Sequence, residues 1–244
     1  MQVLIPTLGC HPALSLTLES FLLTSPSAQV TLVCGRSKER EHTVYLRSLV
    51  ERFPTVNFIW LNKNYGFPGN VNRGMREIDT DGGVLISNDD VVVLSPGWAD
   101  RVGGQDKAVG AVGPVSNYVL SHQCYKLGGH GLHKVPVLSW FWIYVTGAAW
   151  RDVGPLDEDY GLGLSDDLDW CHRATRAGYD LLLDKEILVW HWGSSTFRAL
   201  EQDGGEAYGV MDRRNRQLLL KKHPELANDG ADRSLTFAEW DANR

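Results

Sequence analysis

Two adjacent carboxylates stand between two apolar, largely β-branched runs in Leu85-Ile86-Ser87-Asn88-Asp89-Asp90-Val91-Val92-Val93. Runs of that kind read as strands, so the acids fall at a strand end, where removing both charges from water is expensive without a cation or hydrogen bonds. A hard divalent ion such as Mg2+ or Mn2+ supplies that compensation and would also neutralise a diphosphate. The same residues also suit an Asx-rich turn between two strands. His191 follows the apolar run Ile187-Leu188-Val189 and lies between Trp190 and Trp192. A histidine there is, on its own, more often a packed, hydrogen-bonded residue than a metal ligand.

A second acidic group, Ser165-Asp166-Asp167-Leu168-Asp169, opens a segment that reads as a helix ending at Gly178. Acids in a first helical turn ordinarily complement the helix dipole. A helix start beside a metal-bound diphosphate is also a place to fix a carboxylate base and keep it ionised. Farther along, Tyr208 to His223 carries Arg213, Arg214, Arg216, Lys221 and Lys222 with Leu218, Leu219 and Leu220. A solvated amphipathic helix is the preferred reading there, ahead of a dedicated binding patch. Trp140, Phe141, Trp142 and Tyr144 are read mostly as core. His122, His130 and His133, in a glycine-rich stretch, are read as part of an acceptor-side loop rather than a second metal site.

The elements that would position these groups are legible as alternation. Val3-Leu4-Ile5, Val30-Val33, Phe58-Leu61 and Val84-Ile86 are strand-like, with helical segments around Leu14 to Leu22 and Asn72 to Ile78. Such alternation predicts an α/β fold with a mostly parallel central sheet and helices on both faces. Ligands bind such sheets beyond the carboxyl ends of the strands, which singles out Thr7, Gly35-Arg36, Asn62-Lys63-Asn64 and Asn88-Asp89-Asp90. The chain's 244 residues, 43% of them hydrophobic, suffice for one large domain over 1–227, followed by a polar tail over 228–244. Residues 1–95 are expected mainly to bind nucleotide, and residues 96–227 to supply the acceptor side and catalytic base. A formal net charge of −6 argues against a general nucleic-acid-coating surface. The scattered Cys10, Cys34, Cys124 and Cys171 suggest a reducing compartment. With a start that leaves no room for a signal segment, the expectation is a cytoplasmic protein without a transmembrane segment.

In order and spacing the motifs resemble the family 2 glycosyltransferases, from Val3 to about Pro224. The markers are Val3-Leu4-Ile5-Pro6-Thr7, Asn64-Tyr65-Gly66-Phe67 with Asn72-Arg73-Gly74, and Asn88-Asp89-Asp90-Val91. Then follow Thr146-Gly147-Ala148-Ala149, Val153-Gly154-Pro155-Leu156-Asp157-Glu158, Asp166-Asp167-Leu168-Asp169-Trp170-Cys171 and His191-Trp192-Gly193-Ser194-Ser195. The resemblance implies the GT-A (nucleotide-diphospho-sugar transferase) fold and an inverting, metal-dependent hexosyl- or pentosyltransferase. It implies Asp90 and His191 as ligands of Mn2+ or Mg2+, with Asp89 toward the ribose or donor sugar. Thr7 would lie near the nucleobase, and Asn64, Gly66, Phe67 and Asn72 would form the nucleotide-side loop and helix start. Asp167 matches the family's catalytic base, with Asp166 where glutamate is usual. The second strand departs from the family's acidic ending, and Arg36 there is expected to meet phosphate or a different base edge.

The implied donor is a nucleotide-diphosphate-sugar. The implied acceptor carries a hydroxyl on a glycan or lipid-linked glycan, with protein or modified nucleic acid as further classes and peripheral membrane contact through the basic helix. A nucleotide-dependent oxidoreductase is disfavoured because Pro6-Thr7 replaces a glycine-rich fingerprint after the first strand. A non-catalytic sugar-binding protein and a metal-dependent nucleotide-sugar phosphohydrolase remain alternatives.

Overall fold

Val3, Leu4 and Ile5 are all fully buried. Consecutive rather than alternate burial requires a strand covered on both faces. The computed structural model describes residues 1–117, 122–193 and 207–227, and shows that arrangement. Its strands are β1 (Gln2–Thr7), β2 (Gln29–Cys34), β3 (Asn57–Trp60), β4 (Val84–Ser87), β5 (Val91–Val93), β6 (Val109–Ser116), β7 (Leu132–Val135), β8 (Trp142–Val145) and β9 (Asp180–His191). Its α-helices are α1 (Leu14–Thr24), α2 (Arg40–Arg52), α3 (Gly66–Met75), α4 (Trp98–Val102), α5 (Gly147–Val153), α6 (Asp166–Arg176) and α7 (Tyr208–Lys222). Ser194, Ser195 and the tail 228–244 lie outside the described residues.

The strands form one sheet in the order β3-β2-β1-β4-β8-β6-β9-β5, with β7 pairing a different stretch of β9. β1, β2, β3, β4, β6 and β9 share one direction, and β5, β7 and β8 oppose them. The mostly parallel α/β sheet expected from the sequence is therefore present. Side chains alternate between its faces: Val3 and Ile5 join α1, α2 and α4 through Leu18, Leu46 and Trp98. Leu4 joins α3, α5 and α6 through Val71, Ala149 and Trp170. Trp98 anchors the first layer, meeting Phe21 and Trp142 edge-on at centroid distances of 5.7 and 5.4 Å.

Two sequence readings need refinement. The aromatic stretch Trp140 to Tyr144, read as core, enters β8 at Trp142, and a break divides that strand from α5. Thr146 makes the division, its hydroxyl accepting the Ala149 N–H at 3.3 Å. Gly147 allows the close approach that follows, since a Cβ there would lie 2.4 Å from the carbonyl oxygens of both Thr80 and Asp81. The glycine-rich stretch holding His130 and His133 is not simply a loop. Leu132–Val135 pairs antiparallel with β9, because that edge offers unpaired backbone that four residues of extended chain can satisfy. Trp140, Phe141, Trp142 and Tyr144 are all buried, as the core reading expected.

Candidate functional site

β4 and β9 bring Asp89, Asp90 and His191 together. β5 follows Asp90 directly and pairs antiparallel with the end of β9, placing Val91 opposite His191. The Trp192 N–H donates to the Asp90 carbonyl at 3.1 Å, and Asp90 Oδ1 stands 3.2 Å from His191 Nε2. Two adjacent ligands of an octahedral ion with bonds of about 2.1 Å lie about 3 Å apart, so this buried carboxylate-imidazole pair fits a divalent cation. His191 is fixed from three sides. Asn117 accepts its backbone N–H at 2.7 Å and donates to its carbonyl at 3.1 Å, while Phe141 stacks on the ring at 4.9 Å and 14°.

Asp89 points elsewhere. It accepts the Thr7 hydroxyl at 2.5 Å, and Thr7 Oγ1 in turn accepts the Gly9 N–H at 2.9 Å. Burial, and then the charge of Asp90, push the Asp89 carboxyl up to about 7, against the opposing Thr7 hydrogen bond. Two neighbouring acids at 5% and 4% exposure are costly without a countercharge.

Asp166 and Asp167 start α6 after two consecutive left-handed residues, Leu164 (φ 73°) and Ser165 (φ 67°). Non-glycine residues in that region cost of order 1–3 kcal/mol each and persist only where the surroundings impose them. Burial raises both carboxyls above the ordinary range, and the Asp167 charge raises Asp166 further. Asp166 is buried and Asp167 half-buried. Asp167 accepts the Leu168 N–H at 2.9 Å and is also faced by the backbone N–H of Trp140. Trp140 and Phe141 thus join the two halves of the site: one backbone holds Asp167 while the next ring holds His191. The Phe141 carbonyl also accepts the Asn88 N–H, at 2.8 Å.

Most of the residues expected on the nucleotide side lie around the start of α3. Asn64 Oδ1 accepts the Gly66 N–H at 2.9 Å and the Asn70 amide at 3.2 Å, shaping the turn into the helix. Gly66 is left-handed (φ 75°), and a Cβ there would lie 1.8 Å from the Gly161 carbonyl oxygen. The Phe67 N–H donates to the Leu162 carbonyl at 3.2 Å. Asn72 is buried, exchanging bonds of 2.8 and 3.0 Å with the Leu156 backbone and reaching Glu158 at 3.2 Å. Its amide therefore braces the segment ahead of α6. Arg36 is exposed just beyond β2.

The sequence reading missed three contributors. His11 lies close enough to Asp90 and His191 to feel both, and packs on Trp192 at 5.8 Å; burial, with His191 assisting and Asp90 opposing, lowers its pKa. Asn117 follows the end of β6, so the strand-end rule would have found it had β6 been recognised. Asn215, buried in α7 with its amide donating to the Tyr160 and Gly163 carbonyls ahead of α6 at 2.9 and 2.7 Å, had no signal in the sequence.

No protein family's sequence model matches the chain, and no curated protein matches it. Solved structures do. GalNAc-T7 with UDP, GalNAc and Mn2+ is similar at a TM-score of 0.66 and 12% identity, covering 78% of this chain and 43% of its own. The mannosyltransferase PcManGT from Pyrobaculum calidifontis, in complex with GDP-Man and Mn2+, is similar at 0.62 and 15% identity, covering 90% and 68%. S. aureus TarS 1-349 follows at 0.56 and 13%, covering 82% and 62%. The chain thus spans less than half the length of the GalNAc-T7 chain. The fold is GT-A, that of nucleotide-diphospho-sugar glycosyltransferases.

Proposed function

We propose that the chain is an inverting, metal-dependent glycosyltransferase of the family 2 type, moving a sugar from a nucleotide-diphosphate donor to an acceptor hydroxyl. The observation that carries this reading is the tie made by Trp140 and Phe141 between a metal-binding pair, Asp90 and His191, and a carboxylate of raised basicity, Asp167. Asp90 and His191 would hold Mn2+ or Mg2+, as the Mn2+ complexes of similar structures support. When bound, that ion neutralises the donor diphosphate and the charge growing on it as leaving group. Asp89, fixed by Thr7, is oriented toward the donor, with Asn64, Gly66, Phe67 and Arg36 on its nucleotide side. Asp167 takes the acceptor hydroxyl proton as that oxygen attacks the anomeric carbon opposite the nucleotide. The carbon–oxygen bond to diphosphate breaks with its electron pair leaving on phosphate, and configuration inverts. The cytoplasmic location and the glycan or lipid-linked acceptor belong to the same proposal. No helix among the described residues is long and apolar enough to cross a membrane.

The test is a screen of purified protein against nucleotide-sugars with and without Mn2+ or Mg2+, reading thermal shift and transfer. One donor should raise the melting temperature in a metal-dependent way, by mass action on the native state. Asp167→Asn should keep that shift and lose about 10²–10⁴-fold in transfer rate. Unchanged cleavage of the donor by Asp167→Asn would point instead to a phosphohydrolase, and absence of a shift with every donor would overturn the donor assignment.

A further inference from the structure

Three backbone carbonyls, those of Tyr160, Gly163 and Leu164, converge on one side chain. Asn215 of α7, fully buried, donates its amide to them at 2.9, 2.7 and 3.1 Å, and its Oδ1 accepts from Arg214 Nε at 3.1 Å. Those carbonyls belong to the turn that delivers Asp166 and Asp167, and Leu164 is the first of its two left-handed residues. The Tyr160 carbonyl also accepts the Gly163 N–H at 3.3 Å, so it is chiefly the Gly163 and Leu164 carbonyls that would lose their donor without Asn215, and a turn so conformed would relax toward ordinary backbone.

We infer that Asn215 is a positioning residue for catalysis: it holds the Tyr160–Ser165 turn in its left-handed conformation, and thereby sets where the Asp166–Asp167 pair stands. The inference rests on the proposed role of Asp167 and goes beyond it. From the same helix Lys222 grips Asp157 and Asp159, ahead of the turn, and lies over the Tyr160 ring at 5.5 Å. The ionisable groups around the pair are Asp169 and Cys171 on α6, with Tyr160 before it.

The test compares Asn215→Ala, Leu164→Gly and the double variant in the full chain. Glycine accepts a left-handed φ without a clamp, so it should restore what the lost amide no longer imposes. Asn215→Ala is expected to lower kcat about 10²-fold, the scale of a 1 Å misplacement, with donor and acceptor KM nearly unchanged. Leu164→Gly alone should stay near wild type, and the double variant should recover most of the loss. A folded Asn215→Ala protein with wild-type kcat, or a double variant no better than it, would overturn the inference. Should Asn215→Ala not fold, Asn215→Ser, which keeps one donor, enters the same comparison. Should the wild type transfer no sugar, that failure belongs to the function reading. Carbon-13 titration of the Asp166 and Asp167 carboxyls then decides: a change in Asn215→Ala reversed in the double variant supports positioning, and identical titrations overturn it.

Discussion

An acid held at a position where its charge is poorly solvated trades stability for basicity, and Asp166 shows the sign of that trade. Its pKa in the folded protein lies above the ordinary aspartate value, chiefly through burial and then through Asp167. Above that raised pKa, about 8, the native state carries a charge that the unfolded chain accommodates more easily, and at neutral pH it holds a proton that the unfolded chain has released. As pH falls through the raised pKa the native state takes up the proton first, and the deficit is removed by the time the unfolded pKa is reached. Asp166→Asn should accordingly melt higher than wild type at pH 8, by about 2–4 °C per kcal/mol recovered for a chain of this size. The gain should shrink steadily on acidification. Melting curves of both proteins between pH 8 and 4 check this, and a gain independent of pH would show that ionisation is not its source. The pair itself was readable in the sequence, because two acids before a helical pattern stand out. Its left-handed approach was not, since neither leucine nor serine announces a positive φ.

At the scale of elements, the segment between α5 and α6 is gripped from two helices. From α3, Asn72 holds Leu156 and Arg73 pairs with Glu158 at 3.0 Å; from α7, Lys222 pairs with Asp157 and, at 2.7 Å, with Asp159. The α3 contact is the tighter in steric terms. Gly66→Ala would force a Cβ into the Gly161 carbonyl at a backbone conformation alanine resists, so it should destabilise by more than about 1 kcal/mol and weaken donor binding as α3 withdraws. Chemical denaturation and donor titration measure the two effects. Beyond α7, Glu225 pairs with His172 and Arg176, both at 2.8 Å, tying the chain's return to α6. Its own backbone N–H, then His172 and Arg176, hold its carboxyl down at about 2. The stabilisation is thus present above the ordinary glutamate range and lost as pH falls toward 2. Glu225→Gln should melt lower than wild type at neutral pH and converge with it near pH 2. The solvated reading of the basic helix α7 is only half of its behaviour, because a hydrophobicity pattern says nothing of where Lys222 or Asn215 will find acids and carbonyls distant in sequence.

Across the whole molecule, the elements legible beforehand were those whose burial is local in sequence. β1, β2, β3 and β4 are short apolar runs with clear stops, and α6 has acids at its start and glycine past its end. α2 escaped because Leu46 and Leu49 are its only buried residues, too narrow a stripe to show as a period. β6 escaped because Gly110, Gly113 and Pro114 dilute its apolar pattern. Its burial is guaranteed instead by β8 and β9 on either side, partners that lie far along the chain. That same interleaving bears on the expected division into a nucleotide-binding 1–95 and an acceptor-side 96–227. β4 takes β8 as its neighbour, and β5, although it lies in the first part, pairs among the described residues with β9 alone. Residues from both parts fill both core layers, with Val3 and Val189 belonging to one cluster and Leu4 and Leu183 to the other. A fragment of residues 1–95 would expose the fully buried β4 along its open edge and leave β5 unpaired, conditions that favour association over folding. Expressed alone, it should be aggregated or lack dispersed amide resonances, while 1–227 should fold cooperatively in a single thermal transition. A soluble, well-dispersed 1–95 fragment that still binds nucleotide would show that the functional division is also a folding boundary, and that β8 and β9 are additions to a sheet already stable without them.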